Sequence, residues 1–340
     1  MSESPALPAF TTLPDLASRQ LAGSVIAAND ELFAERENLI KPEPSVFAVH
    51  EFGHKGKVYD GWETRRRRED GHDWAVVRLG VPGVVHGVVV DTAWFTGNYP
   101  PFVSVEAAKV PGYPTVDEID PSDWVTIVKR SPCYGDTANA YAVEDHQLWT
   151  HVRLSIYPDG GVSRFRVHGV VVPDPQFLHG TIDLAALENG AALVDCSNAF
   201  YSSPQNLILP GRAQIMGHGW ENARRRDDGN DFAVFRLAGE GSARHVEVDT
   251  SYFVGNAPGW VKLSACRAEG DEAIADAEWW DLVEKTRSLP DTRHRFVVEG
   301  DRPATHVRLD VYPDGGLARL RVWGDLTDGG LAAISSRWPS

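Results

Sequence analysis

The segment GWETRRRREDGHDWAVVRL at Gly61–Leu79 returns as GWENARRRDDGNDFAVFRL at Gly219–Leu237. Thirteen of the nineteen positions are identical without a gap, at an offset of 158 residues. A second pair follows at the same offset, with DTAWFTGN at Asp91–Asn98 and DTSYFVGN at Asp249–Asn256. A period this long indicates a duplicated domain, because stacking repeats are only 20–50 residues long. The sequence therefore predicts two divergent copies of one domain.

Further matching blocks define the extent of the two copies. THVRLSIYPDGGVSRFRVHG at Thr150–Gly169 matches Thr305–Gly324 at fourteen of twenty positions. Upstream, Asn38-Leu39-Ile40 recurs at an offset of 168, so copy 1 holds ten more residues than copy 2 between Ile40 and Gly61. We predict an N-terminal tail at 1–11, repeat 1 at 12–172, a linker at 173–180, repeat 2 at 181–326 and a C-terminal tail at 327–340.

Each copy reads mainly as short strands. Segments such as WAVVRL and VVHGVVVDT are rich in valine and aromatic residues and are separated by Gly and Pro, which favours an all-β sandwich or barrel. The Tyr-Pro-Asp-Gly-Gly turns predict hairpins. The residues expected to face the core are Leu154, Ile156, Phe165 and Val167. Short helices are predicted at Asp123–Arg130 and Ala277–Arg287.

Composition and charge exclude several classes of protein. An apolar fraction of 42% and a charged fraction of 24% are typical of globular domains. A formal charge of −15 opposes binding to nucleic acid or to an anionic membrane, and no stretch is apolar enough to span a bilayer. Three widely separated cysteines and the absence of a signal-peptide pattern predict a cytoplasmic protein with reduced thiols.

The segment that follows each conserved tryptophan of the repeat carries the most unusual chemistry. Glu63 precedes Arg65–Arg68 in copy 1, and Glu221 precedes Arg224–Arg226 in copy 2. Guanidinium groups bind carboxylates through paired N–H donors, and a nearby glutamate can act as general acid or base. In an acidic protein this pattern predicts a local anion pocket. A solvated arginine run is the alternative interpretation, but both copies keep Trp, Glu and Arg-Arg-Arg.

Two further sequence patterns are candidates for functional sites. Asp91 and Asp249 stand at predicted strand ends, where they could contact a ligand or cap a turn. His50-Glu51-Phe52-Gly53-His54 fits the H-E-x-x-H pattern, which binds zinc when a helix brings both imidazoles to one face. Prolines and glycines around this segment disfavour a helix, and copy 2 lacks it, so we predict no metal site and no cofactor.

The paired blocks resemble the allantoicase (allantoate amidinohydrolase) family. The resemblance is carried by YDGWETRRRR at 59–68, MGHGWENARRR at 216–226, Asn38-Leu39-Ile40 and the two Tyr-Pro-Asp-Gly-Gly turns, and it covers nearly the whole chain. It implies two jelly-roll domains of the galactose-binding-like type with a few short helices, in a homo-oligomer. It also implies hydrolysis of allantoate, a small anionic ureide, to ureidoglycolate and urea in purine breakdown.

On this resemblance the residues receive hypothetical roles. The catalytic candidates are Glu63, Glu221 and His218. The candidates for substrate carboxylate binding are Arg66, Arg67, Arg224 and Arg225, and those for orienting ureido groups are Asp91 and Asp249. Copy 2 has Asn222 for Thr64, Ala223 for Arg65 and His218 for Asp60, so the two copies need not hold equivalent sites. The competing interpretation is a non-catalytic tandem β-sandwich that binds a small molecule or carbohydrate.

Overall fold

The chain folds into two compact units, Met1–Val172 and Pro173–Ser340. The computed structural model describes residues 7–47, 50–53 and 56–338. Both units consist almost entirely of antiparallel strands joined by loops and single turns of 3₁₀ helix. The predicted all-β fold of two tandem β-sandwich domains with a few short helices is confirmed. No helix within the described ranges is long and apolar enough to cross a bilayer.

The strands of unit 1 are β1 Ser24–Ala28, β2 Phe52–Gly53, β3 Gly56–Lys57, β4 Trp62–Glu63, β5 Asp73–Asp91, β6 Phe102–Ala108, β7 Val125–Pro132, β8 Ala138–Ala142, β9 Leu148–Tyr157, β10 Gly161–Val162 and β11 Arg164–Val171. Its 3₁₀ turns are Ala9–Thr12, Arg19–Leu21, Arg36–Ile40, Val116–Glu118 and Pro121–Asp123.

The strand β5 organises unit 1. Its first half pairs with β1 and β9, and β9 continues the sheet to β6 and β7. Its second half pairs instead with β8 and β11. The pairing changes where the register of β5 is interrupted between Arg78 and Gly83, beside Pro82. One continuous strand of nineteen residues therefore belongs to both layers of the sandwich.

The elements of unit 2 are β12 Thr181–Asp183, β13 Ala192–Cys196, β14 Asp231–Asp249, β15 Trp260–Cys266, β16 Trp279–Arg287, β17 Arg293–Val297, β18 Ala304–Tyr312, β19 Arg319–Leu326 and the helix α1 Asp328–Ser335. Its 3₁₀ turns are Pro175–Phe177, Leu187–Asn189, Pro204–Ile208, Met216–His218 and Asp271–Asp276.

Unit 2 repeats the topology of unit 1. The first half of β14 pairs with β13 and β18, and β18 leads on to β15 and β16. The second half pairs with β17 and β19, and β12 adds to the outer side of β19. Like β5, β14 is nineteen residues long and serves both layers. The segment predicted as a C-terminal tail contains α1, where Thr327 caps the backbone N–H of Gly330 at 3.0 Å.

The core lies between the two layers of each unit, as the alternation of apolar residues predicts. The four residues predicted to face it, Leu154, Ile156, Phe165 and Val167, are all 0% exposed. Their counterparts Leu309, Val311, Leu320 and Val322 are equally buried. Burying such side chains stabilises a fold by about 1.5–3 kcal/mol each, so the repeated alternation accounts for both cores.

The predicted hairpin across Tyr-Pro-Asp-Gly-Gly is wrong. Strand β9 pairs with β5 and β6, whereas β11 pairs with the far half of β5. The turn therefore carries the chain from one layer to the other. Sequence alternation could not distinguish these arrangements, because it shows which face of a strand is buried but not which strand lies beside it.

The short helices predicted at Asp123–Arg130 and Ala277–Arg287 are also wrong, since these segments form the strands β7 and β16. Both are outer strands that pair on one side only, with β6 and β15. Their faces are mostly exposed, so polar residues interrupt the apolar alternation that marks a strand. The β-branched run Val125–Val128 favours the extended conformation that is observed.

Candidate active site

The Trp-Glu segment of each repeat is fixed by a buried indole. Trp62 is fully buried, and its Nε1 donates to the backbone oxygen of Asp30 at 2.7 Å. One residue earlier, the carbonyl of Gly61 accepts a hydrogen bond of 2.9 Å from the Asn38 side chain. The same bonds in unit 2 join Trp220 to Asn198, and Gly219 to Asn206. The duplicated Asn-Leu-Ile block thus holds the segment that presents Glu63 and Glu221.

The Pro-Asp-Gly-Gly turn braces the residue after each glutamate. Gly160 has φ of +143°, which favours glycine, and a Cβ on Gly161 would lie 2.1 Å from the Phe95 ring. Thr64 exchanges backbone and side-chain hydrogen bonds of 3.2 Å with Gly160. In unit 2, Asn222 accepts from the N–H of Gly315 at 2.8 Å. Asn222 therefore keeps the side-chain bond to the N–H of this turn.

Glu63 is a buried carboxylate with one free oxygen. Its side chain is 9% exposed, its Oε1 accepts from Nδ2 of Asn98 at 2.6 Å, and its Oε2 has no partner within the described part of the chain. Burial raises the pKa of Glu63, and the Asn98 hydrogen bond offsets this only in part. A carboxyl group in this setting keeps its proton to higher pH than a surface glutamate does.

Glu221 has the matching contact in unit 2. Its Oε1 accepts from Nδ2 of Asn256 at 2.8 Å, and its backbone N–H donates to Oγ of Ser202 at 2.7 Å. Glu221 is half-buried, so its carboxylate is more open than that of Glu63. Asn98 and Asn256 end the duplicated Asp-Thr blocks, and both orient a candidate acid or base.

The arginines of each repeat divide into held and unpaired groups. Arg67 Nη1 lies 2.7 Å from the buried Asp73, and Arg225 Nη1 lies 2.6 Å from the buried Asp231. Arg66 is exposed and has no hydrogen-bond or ion-pair partner among the described residues. The same holds for the exposed Arg224. Arg68 and Arg226 are likewise exposed and without a partner in the described ranges, so each unit has exposed guanidinium groups available to an anion beside one that fixes the loop.

A cavity of about 400 Å³ lies over the arginine run of unit 1. Its lining residues are Asn29, Asp30, Arg65, Arg66, Arg67, Arg68, Glu69 and Asp73. At the edge of the cavity, Nε of Arg65 lies 2.6 Å from a carboxylate oxygen of Asp30. Glu63 does not line the cavity, because its side chain turns to Asn98. The glutamate and the arginines are neighbours in sequence. In the structure their side chains face different surroundings, because Glu63 contacts Asn98 and the arginines line the cavity.

Asp91 and Asp249 end the long strands β5 and β14. Asp91 accepts from the backbone N–H of Ala93 at 2.9 Å, and Asp249 accepts from both the N–H and the hydroxyl of Ser251. These bonds cap the turns, which was one of the two interpretations of these residues. Burial raises the pKa of Asp91, although the Ala93 N–H and the charges of two arginines, Arg166 and Arg164, act in the opposite direction.

The two buried arginines beside these aspartates escaped sequence reasoning. Arg164 is in register with Asp91 and is 1% exposed; Arg319 is in register with Asp249 and is 4% exposed. Both begin their strands, β11 and β19, directly after the Pro-Asp-Gly-Gly region. Both belong to the duplicated pattern Arg-x-Arg-Val, which was the signal that could have found them.

Comparison with known proteins adds the family to this geometry. Residues 14–172 and 182–327 each match the family described as the allantoicase repeat. A probable allantoicase of Nocardia farcinica is 54% identical over 93% of this chain and 95% of its own length. The allantoicase of Dictyostelium discoideum is 39% identical over 92% of this chain and 87% of its own length. The chain belongs to the allantoicase family.

A solved allantoicase agrees with the fold described above. The crystal structure of the allantoicase from Saccharomyces cerevisiae superimposes with a TM-score of 0.79. It is 36% identical, and the match covers 92% of this chain and 93% of that one. The duplicated Trp-Glu-Arg segments thus lie within two allantoicase repeats that the match spans almost completely.

The positions of the described histidines bear on a possible metal site, and one pair, His86 and His146, has ring centroids 5.5 Å apart. His218 is half-buried in the 3₁₀ turn Met216–His218, and its Nδ1 accepts from the N–H of Gln214 at 3.4 Å. His50 lies in an exposed turn, and His54 falls outside the described residues. Within the described ranges no three His, Cys, Asp or Glu side chains cluster as metal ligands would.

Proposed function

We propose that this chain hydrolyses allantoate to ureidoglycolate and urea in purine breakdown. Membership of the allantoicase family over both repeats supports the reaction. The observation that carries the site is a duplicated arrangement, in which a glutamate is oriented by an asparagine and followed by an unpaired arginine. The residues are Glu63, Asn98 and Arg66 in unit 1, and Glu221, Asn256 and Arg224 in unit 2.

The chemistry requires a proton donor and a base. Expelling urea from the central carbon requires a proton on the leaving nitrogen, and the water that replaces it must lose one. Glu63 suits the donor because burial raises its pKa. In unit 2 we assign the donor and the base to Glu221 and His218, which stand on either side of Gly219 and the buried Trp220. Asn98 and Asn256 are positioning residues, since they act through the glutamates.

The remaining roles concern binding. Arg66 and Arg224 present exposed guanidinium groups to the substrate carboxylate. Arg67 and Arg225 add charge beside them and hold the loops through Asp73 and Asp231. Asp91 and Asp249 accept ureido N–H groups through the oxygens that do not cap their turns.

Urea release from allantoate by the purified full chain tests the proposal. We expect turnover, and we expect Glu63→Gln combined with Glu221→Gln to reduce kcat by about 10²–10⁴-fold, as loss of acid–base catalysis does. Glu144→Gln is the control, because Glu144 is exposed and lies outside both Trp-Glu segments. Full kcat in the double variant would contradict the acid–base roles, and no urea from the native chain would contradict the reaction.

Binding of the carboxylate needs its own variant. We expect Arg66→Ala with Arg224→Ala to raise KM for allantoate, whereas the exposed neighbours Arg68 and Arg226 should tolerate alanine.

Activity measured with and without EDTA, followed by added divalent metal, tests the expectation that no metal is used. Loss of turnover that metal restores would bring His50, His54 and His218 back as ligands.

The protein is further proposed to be a cytoplasmic homo-oligomer. The resemblance to the allantoicase family supports the oligomer, and three free cysteines, two of them buried, suit a reducing compartment. Light scattering on the purified chain would give its mass in solution, and a monomeric mass would contradict the first part.

A further inference from the structure

Arg164 and Arg319 have the same surroundings except at one nitrogen. In unit 1, Nε of Arg164 donates to the carbonyl of Glu43, and Nη1 donates to the carbonyls of Asp60 and Ser163. In unit 2, Nε of Arg319 donates to the carbonyl of Gly211, and Nη1 to those of His218 and Ala318. His218 stands where Asp60 stands in unit 1, as the repeat alignment also gives.

The difference lies at Nη2. In unit 1, Nη2 of Arg164 donates to a carboxylate oxygen of Asp60 at 2.7 Å. In unit 2 the side chain at that place is an imidazole, and Nη2 of Arg319 has no hydrogen-bond partner among the described residues. Nη2 is not among the fully enclosed atoms that lack a partner, so part of its surface is open to solvent although Arg319 as a whole is 4% exposed. A buried guanidinium therefore has one N–H direction open.

A substitution at one aligned position explains why only one arginine is closed: Asp60 in copy 1 is His218 in copy 2. The longer loop of copy 1 supports Asp60, because its carboxylate also accepts from the N–H of Val46 at 2.9 Å. Trp94 fastens the loop through a 3.0 Å bond from Nε1 to the carbonyl of Ser45.

We propose that Arg319 is an anion site that takes the carboxylate of a small organic acid. The ligand carboxylate accepts from Nη2 of Arg319, as the Asp60 carboxylate accepts from Nη2 of Arg164 in unit 1. This site is separate from the exposed Arg224. Only the identity of its natural ligand rests on the proposed function, since allantoate and ureidoglycolate each carry one carboxylate.

Charge and burial favour this occupant. Burial, together with the nearby Arg321, lowers the pKa of Arg319 to about 10, whereas Arg164 has the Asp60 carboxylate in contact. Asp249 and Glu188 attract Arg319 from a distance without bonding its nitrogens. Burial raises the pKa of Glu188, which favours its neutral form. An incoming carboxylate thus supplies the hydrogen-bonded negative charge that unit 1 obtains from its own chain.

Thermal unfolding with acetate as the probe tests the site. Three proteins are titrated with sodium acetate: the native chain, His218→Asp and His218→Asn. Sodium chloride at equal ionic strength is the control. We expect acetate to raise the Tm of the native chain and of His218→Asn. His218→Asp should have a higher Tm without acetate, and its apparent Kd for acetate should rise at least tenfold. An equal acetate response in both variants, or none in the native chain, would overturn the proposal.

A second measurement does not depend on the variants folding. Amide hydrogen exchange of the native chain should slow at residues 209–221 on adding acetate, with no change at residues 41–62 of unit 1. Slowing in both segments, or in neither, would count against a site at Arg319.

Kinetics test whether the natural ligand is the substrate. Acetate that raises the KM for allantoate at constant kcat assigns the site to the substrate carboxylate, whereas acetate that lowers kcat at constant KM would show that the site binds an organic acid apart from the substrate. If no urea is released, the proposed reaction fails, while the acetate measurements still decide the site.

Discussion

Asp60 stabilises unit 1 by pairing with an arginine that has almost no access to water. We expect Asp60→Asn to lower the free energy of unfolding by about 3–5 kcal/mol, the usual cost of leaving a buried charge without its partner. Urea denaturation at neutral pH measures it. Lys41→Ala is the control, because Lys41 contacts the same carboxylate at 3.2 Å from an exposed position. It should cost at most about 1 kcal/mol. Equal effects of the two variants would contradict the ranking.

The direction of the Asp60 pKa shift determines how the stability of this ion pair depends on pH. Burial alone would raise the pKa of Asp60, but hydrogen bonds from Arg164 and from the N–H of Val46, with the Arg164 charge, lower it below 3.8. A carboxyl group with a lowered folded pKa contributes stability above its unfolded pKa and loses it as the pH falls through the folded value. The difference between native chain and Asp60→Asn should therefore shrink below about pH 3.8.

The pKa of Glu63 is shifted in the opposite direction. Its folded pKa lies above the usual 4.5, because burial disfavours the charged form. Its contribution to stability is complete below pH 4.5 and is lost as the pH rises through the folded pKa. Glu63→Gln keeps an oxygen for Asn98 and cannot ionise, so we expect it to raise Tm relative to the native chain at pH 8. That advantage should disappear at pH 4. A variant less stable than the native chain at pH 8 would contradict this account.

At the scale of elements, the Pro-Asp-Gly-Gly turn follows strand β9 in unit 1 and strand β18 in unit 2, and it contacts the residue after each candidate glutamate. We expect Gly161→Ala to cost about 1–3 kcal/mol, as overpacking does, because its Cβ would lie 2.1 Å from the Phe95 ring. It should also reduce kcat, since the turn braces Thr64 beside Glu63. Gly97→Ala is the control, because a Cβ there meets nothing within 4 Å. Denaturation midpoints and urea release on both variants check this, and equal stability would refute the proposed packing.

Sequence reasoning succeeded where a pattern is local and failed where it is not. The repeat predicted both units, and the alternation in β9 and β11 predicted the core, because burial on one face of a strand leaves a period of two. It missed that β9 and β11 lie in different layers. It also missed β7, whose exposed outer face breaks the alternation.

The candidate site shows the same limit. Glu63 was chosen from its place beside the arginine run, which is visible along the chain. Asn98 and Arg164 were not, because they approach the segment from 35 and about a hundred residues away. Duplication marked both of them, and asking which polar residues occur in both copies would have found them without a structure.

At the scale of the molecule, the two repeats are expected to contribute unequally to catalysis. Unit 2 combines Glu221, His218 and an arginine with an open N–H, whereas unit 1 has used Asp60 to close Arg164. We therefore expect Glu221→Gln to reduce kcat by about 10²-fold or more, and Glu63→Gln to reduce it by less than about tenfold. Steady-state urea release on the two single variants measures this. A larger loss for Glu63→Gln would place the working site in unit 1.

The nineteen-residue strands β5 and β14 limit how this gene can vary. Each strand serves two layers, so an inserted or deleted residue inside it would reverse the inward and outward faces of one half relative to the other. The copies have in fact diverged by ten residues in the loop before Gly61, while both long strands have kept the same length. Selection can therefore change what each half of the duplicated gene recognises through this loop, at little risk to the framework that carries it.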